Sequence, residues 1–551
     1  MTLHVPRTAS LHALQTTSRR LRRLAAAGAA TLLMACPTPL TAQAPRAVPL
    51  PRPKLVVFFT IDQMIPDYFV RYGRQFTGGL RRLQQGGVLY VNGYQDHATT
   101  ETAPGHASTM SGRFPRHTGI VRNNAGVNDR THPMIGTSGV GASPFRFQGT
   151  TLIDWLMAAD PRSRALSVSR KDRGAILPIG RSKQAVFWYG PDGRFTTSTW
   201  YADTLPTWLE RFNARRLPQQ FTGTRWTLLR DSTQYVEKDS VPVESDGKNF
   251  MFPHALPADT ALALRAMPDD PRMDWLTLQA AMAGLDAMAL GKGPATDVLA
   301  ISLSTTDGIG HRYGPDSREI HDQILRLDRY LGEFLDSLYK VRDASSIIIA
   351  LTADHGVQPF PELHFAGQRN ATLRVNVNPV LSQAMRALAA RGVDTTRAVG
   401  FDYGMVFADS GAFQAAGVPM DSVLKSLAAE FRRVPGVARV DMVRDLATAD
   451  TVRDAVARRW MHALPPTLNV VMVVSPKPFV YWAGVTYATH GSPNDRDARV
   501  PILFYGPGFA RGVTRTRVVR VVDMAPTLAK RIGVTPAERL DGVVLRDAGR
   551  P

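Results

Sequence analysis

Three nearly continuous apolar runs, each followed within four residues by an aspartate, constrain this chain more than any other feature. L-V-V-F-F-T-I at 55–61 runs into Asp62, V-L-A-I-S-L at 298–303 is followed by Thr306 and Asp307, and I-I-I-A-L at 347–351 is followed by Asp354 and His355. A strand with one wet face alternates apolar and polar residues. A run that is apolar at every position fits a strand covered on both faces, as in a parallel sheet. Open α/β sheets bind their ligands beyond the carboxyl ends of their strands. One acid in such a place means little, but three converge on a site. Helices alternate with the runs. Ile320, Ile324, Leu327, Leu331, Phe334 and Leu338 recur at spacings of three and four, and Asp316 and Glu319 stand three apart at the start, as a capping box requires. The expected fold class is α/β, with a central, mainly parallel sheet sandwiched by helices.

The 551 residues leave room for more than that core. Two long stretches, 174–296 and 356–489, separate the candidate site residues, and each is long enough to form a lid or subdomain. The first is rich in Trp, with Trp188, Trp200, Trp208 and Trp226. The beginning of the chain reads as a leader. Arg19, Arg20, Arg22 and Arg23 precede an apolar stretch at 24–35, too short for a spanning helix, which needs ~20 residues. Two cleavage readings stand side by side. Leu33-Met34-Ala35-Cys36 resembles a lipobox that would lipidate Cys36, and Ala42-Gln43-Ala44 resembles an A-x-A site. Residues 1–44 are therefore expected to be a signal and 45–551 one catalytic domain with two insertions. The protein would be exported, periplasmic or secreted, and an outer-membrane lipoprotein if Cys36 is the cleavage point. A lipid on Cys36 would be its only tie to a membrane.

Cys36 is the sole cysteine, which excludes a disulfide framework and a Cys-based zinc site. The formal charge of +19 includes seven Arg before residue 54, leaving +12 for the rest. That balance favours anionic partners without naming them.

The chemistry-bearing residues are Asp and His. Asp307 and His311 lie four apart where the chain leaves a strand, Asp354 and His355 are adjacent after another, and Asp62 and His490-Gly491 complete the set. Two cations held by carboxylate oxygens and imidazole nitrogens, three ligands each, need about this inventory. Thr102 in T-T-E-T-A-P-G-H-A-S offers a hydroxyl nucleophile. A Thr alcohol is a poor nucleophile at neutral pH and needs a base or a metal; no His is paired with it in sequence, so a metal would serve. Lys171 and Arg173 flank Asp172 as two cations able to clamp a dianion. Each motif alone has a plainer reading: filler for D-x-x-x-H, a helix start for Thr before Ala-Pro-Gly, and a solvated basic loop for Lys-Asp-Arg. Their conjunction at strand ends argues for a site.

The order of these motifs carries a family resemblance. Asp62, T-E-T-A-P-G-H around Thr102, Asn123, S-R-K-D-R-G-A-I from Ser169, D-G-I-G-H from Asp307, D-H-G from Asp354 and H-G-S-P-N-D from His490 resemble the alkaline phosphatase superfamily. More narrowly, they resemble its phosphate-irrepressible enzymes of flavobacterial type, from about Leu55 to about Leu545. The resemblance implies two zinc ions per chain, one held by Asp307, His311 and His490, the other by Asp62, Asp354 and His355. It implies that Thr102 coordinates the second zinc and attacks phosphorus, forming a phospho-threonine. Asn123, Lys171 and Arg173 would contact the non-bridging phosphoryl oxygens. No organic cofactor is implied.

The expected function is hydrolysis of phosphate monoesters with broad specificity, because two cations and Asn123 suit a dianionic phosphoryl group with three free oxygens. A phosphodiesterase or nucleotide pyrophosphatase of the same superfamily shares the metal ligands and the Thr, and is the first alternative. The C/S-x-P-x-R motif of sulfatases is absent. A polyanion-binding protein is the alternative of another class. It lacks the interleaving of aromatic and basic residues, or any nucleic-acid motif, that would recommend it, so no specific nucleic acid is expected as a partner. A monomer is the favoured state.

Overall fold

The structure, a computed structural model, describes residues 51–549. The leader with its cleavage positions and Cys36 lies outside the described residues.

Apart from two short two-stranded pairings, the strands begin, in chain order, with β1 (Leu55–Ile61), β2 (Gly87–Tyr94), β3 (Ala165–Ser169), β4 (Ala185–Tyr189), β5 (Phe195–Thr196), β6 (Asp297–Leu303) and β7 (Ile347–Thr352). Four more, β8 (Val399–Asp402), β9 (Met405–Ala408), β10 (Val437–Met442) and β11 (Val470–Pro476), precede β12 (Arg499–Tyr505), β13 (Val513–Arg515) and β14 (Val519–Arg520). A ten-stranded sheet runs in the order β13-β2-β12-β7-β1-β6-β3-β4-β5, with β14 also on β2. Its centre, β7-β1-β6-β3-β4, is parallel throughout; β12 runs against its neighbours and β5 against β4.

The three apolar runs are its middle strands, and every residue of β1, β6 and β7 is buried. Full burial of a Val, Leu, Ile or Phe side chain contributes about 1.5–3 kcal/mol, so this centre carries much of the core's stability. Register then places the site. Leu55 lies opposite both Asp297 and Ile347, and Thr60 opposite both Ser302 and Thr352, so the three strands end flush. The polar residues that follow them must share one edge.

Five helices matter here: α1 (Thr102–Thr109), α2 (Asp172–Ile176), α3 (Arg272–Ala287), α4 (Thr305–Tyr313) and α5 (Arg318–Val341). The long helix α5 packs on α3, and α3 on β3 and β6. Its start differs from the capping box expected of Asp316 and Glu319. Ser317 is the N-cap, its hydroxyl accepting from the Ile320 amide at 3.1 Å. Asp316 accepts from Arg71 at 2.6 Å, and Glu319 lies 2.8 Å from His254 Nε2. Serine caps a helix as well as aspartate does, and both carboxylates have stronger partners in a guanidinium and an imidazole.

The two long stretches behave differently. Within 174–296, β4, β5 and α3 belong to the main sheet and its cover. A loop there is tied down by Asp322 of α5, which accepts from Trp226 Nε1 at 2.6 Å, the Leu229 amide at 2.6 Å and the Tyr235 hydroxyl at 2.7 Å. Within 356–489, a second sheet, β8-β9-β11-β10, is antiparallel and packs its own core, including Phe413, Leu424, Phe431 and Met472. Its first hairpin reaches the site: Asp402 pairs with Arg122 at 2.8 Å, and Tyr403 lies under the Arg122 guanidinium at 4.6 Å. Among the described residues no helix is long and apolar enough to cross a membrane.

Candidate active site

The flush strand ends put the acidic residues together. The Asp62 amide donates to the Leu303 carbonyl at 2.9 Å, extending the β1–β6 ladder by one residue and fixing that carboxylate beside the start of α4. Asp307 sits in the first turn of α4, with His311 one turn further on. Asp354 and His355 follow β7. His490 arrives from the loop before β12, its Nδ1 at 2.7 Å from the Thr100 carbonyl.

Asp62, Asp354 and His355 each offer one ligand atom within 4.8 Å of the others, and so do Asp307, His355 and His490. His311 Nε2 lies 3.1 Å from Asp307 Oδ1 and 3.3 Å from His490 Nε2. All six residues proposed as ligands thus meet in one place. His355 stands between the two groups, its ring stacked on that of His490 at 3.5 Å.

Backbone carbonyls orient the imidazoles. His311 Nδ1 lies 2.6 Å from the Ala488 carbonyl, and His355 Nδ1 lies 3.0 Å from that of Gly356. A carbonyl only accepts, so Nδ1 carries the proton in each ring and Nε2 keeps its lone pair for the centre of the cluster. His490 follows the same pattern through Thr100.

The donor set suits cations. Asp62, Asp307 and Asp354 are buried, with one ammonium, Lys171 Nζ, between Asp62 Oδ2 and Asp307 Oδ2 at 2.6 Å from each. Asp62 Oδ1 and His355 Nε2 are buried without a hydrogen-bond partner, and Asp354 Oδ2 has none beyond an ion-pair contact with the His106 ring at 3.1 Å. Buried charge and buried lone pairs are costly unless they are matched. Burial, reinforced by the Asp307 and Asp354 carboxylates, pushes the Asp62 carboxyl up from its ordinary range. Burial and the neighbouring His490 push His355 well down. Burial would also lower His490, but its hydrogen bond and charge interaction with Asp307 outweigh that and raise it. The surplus negative charge and the free lone pairs are what divalent ions would satisfy.

Thr102 is the first residue of α1, buried, with its hydroxyl 3.3 Å from Lys171 Nζ. One lysine therefore touches Thr102, the candidate nucleophile, and a carboxylate from each candidate ligand group. Asn123 is held against the same helix start: its Oδ1 accepts from the Ala103 amide, and its own amide donates to Glu101 Oε2, both at 2.8 Å. Arg173 is partly exposed and lies 3.5 Å from the Asp172 carboxylate, its neighbour in sequence, rather than against Thr102.

Two residues that sequence reading passed over complete the site. Gln63, buried and in the left-handed region (φ 64), donates its amide to Asp354 Oδ1 at 3.1 Å and its Nε2 to Asp307 Oδ1 at 2.8 Å. It ties the two ligand groups together. A Cβ on Gly310 would come within 1.8 Å of Gln63 Oε1, so only glycine leaves room for this bridge. His106, one helical turn after Thr102, lies 3.1 Å from Asp354 Oδ2 and 2.8 Å from Ser302 Oγ. The only sequence signals were adjacency to Asp62 and the i+4 spacing from Thr102. Partners that orient ligands are typically worth about 10–100-fold in metal affinity. Gln63→Ala is expected to weaken metal binding by about that factor, read by competition with a chelator of known affinity; unchanged affinity would remove Gln63 from this role.

Residues 56–428 match the family model described as type I phosphodiesterase / nucleotide pyrophosphatase. With the parallel sheet and its Asp/His edge, that match places the chain in the alkaline phosphatase superfamily. Alkaline phosphatase PafA of Elizabethkingia meningoseptica is 30% identical over 90% of this chain and 94% of its own. PhoK of a Sphingomonas species is 32% identical over 93% and 96%. The solved structure of wild-type PafA is similar with a TM-score of 0.83 at 28% identity, covering 92% of this chain and all of PafA's. A further solved structure, equally similar, is of PafA altered together at a threonine, an asparagine, a lysine and an arginine. Within the superfamily, this chain belongs to the PafA-type phosphate-irrepressible alkaline phosphatases, which are related to the nucleotide pyrophosphatase/phosphodiesterases.

Proposed function

We propose that the protein hydrolyses phosphate monoesters of broad range at a two-cation centre, through a phosphorylated Thr102. The observation that carries this reading is the position of Lys171 Nζ, 3.3 Å from Thr102 Oγ1 and 2.6 Å from a carboxylate of each ligand group. It makes one site of nucleophile and ligands. Asp307, His311 and His490 would hold one cation, and Asp62, Asp354 and His355 the other, with Thr102 beside it; oxygen and imidazole donors suit zinc. Bound there, the two ions would supply the positive charge that makes a threonine hydroxyl acidic and balances a departing oxygen.

The chain's own residues do the rest. Thr102 Oγ1, having lost its proton, attacks phosphorus in line with the ester bond. The bond between phosphorus and the leaving oxygen breaks, and the alcohol departs with a proton. Thr102 opens α1, so the transferred group gathers charge at the positive end of a helix. Lys171, Arg173 and Asn123 face the three non-bridging oxygens; Arg173 must turn from Asp172 to do so. Water then attacks phosphorus, releases inorganic phosphate and restores Thr102. Support for these roles comes from the altered PafA, in which the Thr and Asn, and the Lys and Arg, are separated by the same intervals as Thr102 from Asn123 and Lys171 from Arg173. Residues 1–44 are read as an export signal, so that the enzyme acts in the periplasm or outside the cell.

The family model's own description keeps a diesterase as the second reading, and charge separates the two. A diester has one fewer free oxygen and less negative charge for the cations to meet. Each charged hydrogen bond is worth roughly 1.5–3 kcal/mol, about one to two decades in rate. Lys171→Ala combined with Arg173→Ala is expected to lower monoester kcat/KM by about two to four decades, with a much smaller fall on a diester and the metal content maintained. Equal losses on both would make the pair general electrostatic support and withdraw the monoester assignment.

A further inference from the structure

A cleft of about 340 Å³ opens directly beside the ligand His311. It is lined by Ser245, Asp246, Lys248, Asp269, His311 and Tyr487. We propose that this cleft is a leaving-group subsite that selects polyhydroxylated esters, those of sugars and ribosides, over plain alkyl phosphates. The inference rests on the monoesterase reading, which puts the departing oxygen on the side of Asp307, His311 and His490. His311 belongs both to that ligand group and to the cleft wall, so the alcohol carried by that oxygen extends into the cleft.

The lining is built for hydroxyl groups. Asp246 is exposed and makes no ion pair among the described residues, so its carboxylate can accept from two neighbouring hydroxyls. Asp269 lies across the cleft, 3.7 Å from Arg170 and so close to Gly308 that a Cβ there would fall 2.2 Å from its Oδ1. Ser245 Oγ accepts from Arg312 Nε at 2.9 Å and keeps its own proton to donate. Tyr487, 44% exposed, meets the His311 ring edge-on at 5.2 Å, setting an aromatic surface beside the reacting end for the C–H side of a sugar or for a base. Asp246 and Asp269 equal Lys248 and Arg312 in number, so the cleft lining has no surplus positive charge of its own for a second anionic group. A neutral polyol is the class that fits.

The backbone around Asp246 is held in place rather than slack. Ser245 and Asp246 have φ of 50° and 53°, and Gly247 continues at 72°. Residues other than glycine keep such angles only where their surroundings impose them, and such places cluster at binding sites. Here the Arg312 bond and the burial of Glu244 (2% exposed) impose them.

The test compares ribose 5-phosphate with pentyl phosphate on the metal-loaded enzyme. It also compares, by calorimetry, the dissociation constants of their non-hydrolysable phosphonate analogues. Adenosine 5′-monophosphate and its 2′,3′-dideoxy form give a second arm that separates hydroxyl recognition from stacking of a base. The wild type is expected to favour the polyol in both kcat/KM and Kd by about tenfold, the ratio one or two hydrogen bonds to a carboxylate support. Asp246→Ala should cut that preference at least fivefold, and Asp246→Asn should restore part of it. Tyr487→Ala should weaken adenosine monophosphate more than ribose 5-phosphate. Equal wild-type values for polyol and alkyl ligands, or a preference that Asp246→Ala leaves intact, would overturn the proposal. Failure to hydrolyse any of the esters would instead overturn the monoesterase reading, and the phosphonate Kd values would still decide on the subsite.

Discussion

Thr102→Ala is expected to abolish turnover, lowering kcat by about four to six decades, as loss of a nucleophile does elsewhere. Alanine leaves no oxygen to take up the phosphoryl group, and among the described residues no second hydroxyl bonds the Lys171 ammonium in its place. The fold should survive. Among the described residues Oγ1 makes one hydrogen bond, the 3.3 Å contact with Lys171, so removing a hydroxyl and a methyl should cost about 1–2 kcal/mol. Metal content should be unchanged within a factor of a few, since both three-residue ligand groups remain. Thr102→Ser should keep turnover within about tenfold of wild type, because a hydroxyl stands in the same place. Acid quenching with labelled substrate should trap the label on Thr102. Label on any other residue, or an alanine variant with wild-type rates, would contradict the assignment.

Chelation is expected to have the second largest effect, on stability as well as rate. The six candidate ligands come from positions as far apart as Asp62 and His490, and the unfolded chain cannot gather them. An ion that binds only the folded state stabilises it by RT ln(1 + [L]/Kd), about 2.7 kcal/mol at a hundredfold excess over Kd. Two sites would contribute about twice that. Without ions, Asp62, Asp307 and Asp354 are left buried together with one ammonium, on Asp62 and Asp307, and the same burial and repulsion that raise the Asp62 carboxyl destabilise the fold. Chelator should therefore abolish turnover and lower Tm by several degrees, and added zinc should restore both. Full removal of metal, shown by elemental analysis, with Tm unmoved would mean that the cluster does not brace the fold.

Much of the fold was legible in the sequence because the middle strands are buried on both faces. β1, β6 and β7 are apolar at nearly every position, and three such runs each closely followed by an Asp fit the middle of a parallel sheet with ligands at one edge. The helix α5 was legible from its spacing, but its first residue was not, since Asp316 and Ser317 both cap well and the choice fell to Arg71, which drew Asp316 away. The sheet of β8 to β11 gave no comparable signal. β8, β9 and β10 are short or part-exposed, and β11, V-V-M-V-V-S-P and almost wholly buried, is an apolar run with no ligating residue just after it to mark it as part of a site.

The site shows the same division. Asp62, Asp307, His311, Asp354, His355 and His490 carry their chemistry in their side chains and could be read directly. Gln63 and His106 could not, because an amide and a buried imidazole acquire their roles only when strand register brings Asp307 and Asp354 within reach. The shared position of His355 between the two ligand groups is likewise a product of folding, as is the pairing of Arg173 with Asp172.

A two-cation monoesterase should discriminate between a dianionic and a monoanionic ester of the same leaving group. The purified protein should be assayed on p-nitrophenyl phosphate and on methyl p-nitrophenyl phosphate, which share a leaving group and differ by one charged oxygen, with metal content determined on the same sample. The expected result is two divalent ions per chain and a kcat/KM for the monoester about two decades or more above that for the diester, the margin that one or two charged contacts provide. Near-equal rates on the two esters, or full turnover with the metals removed, would contradict it.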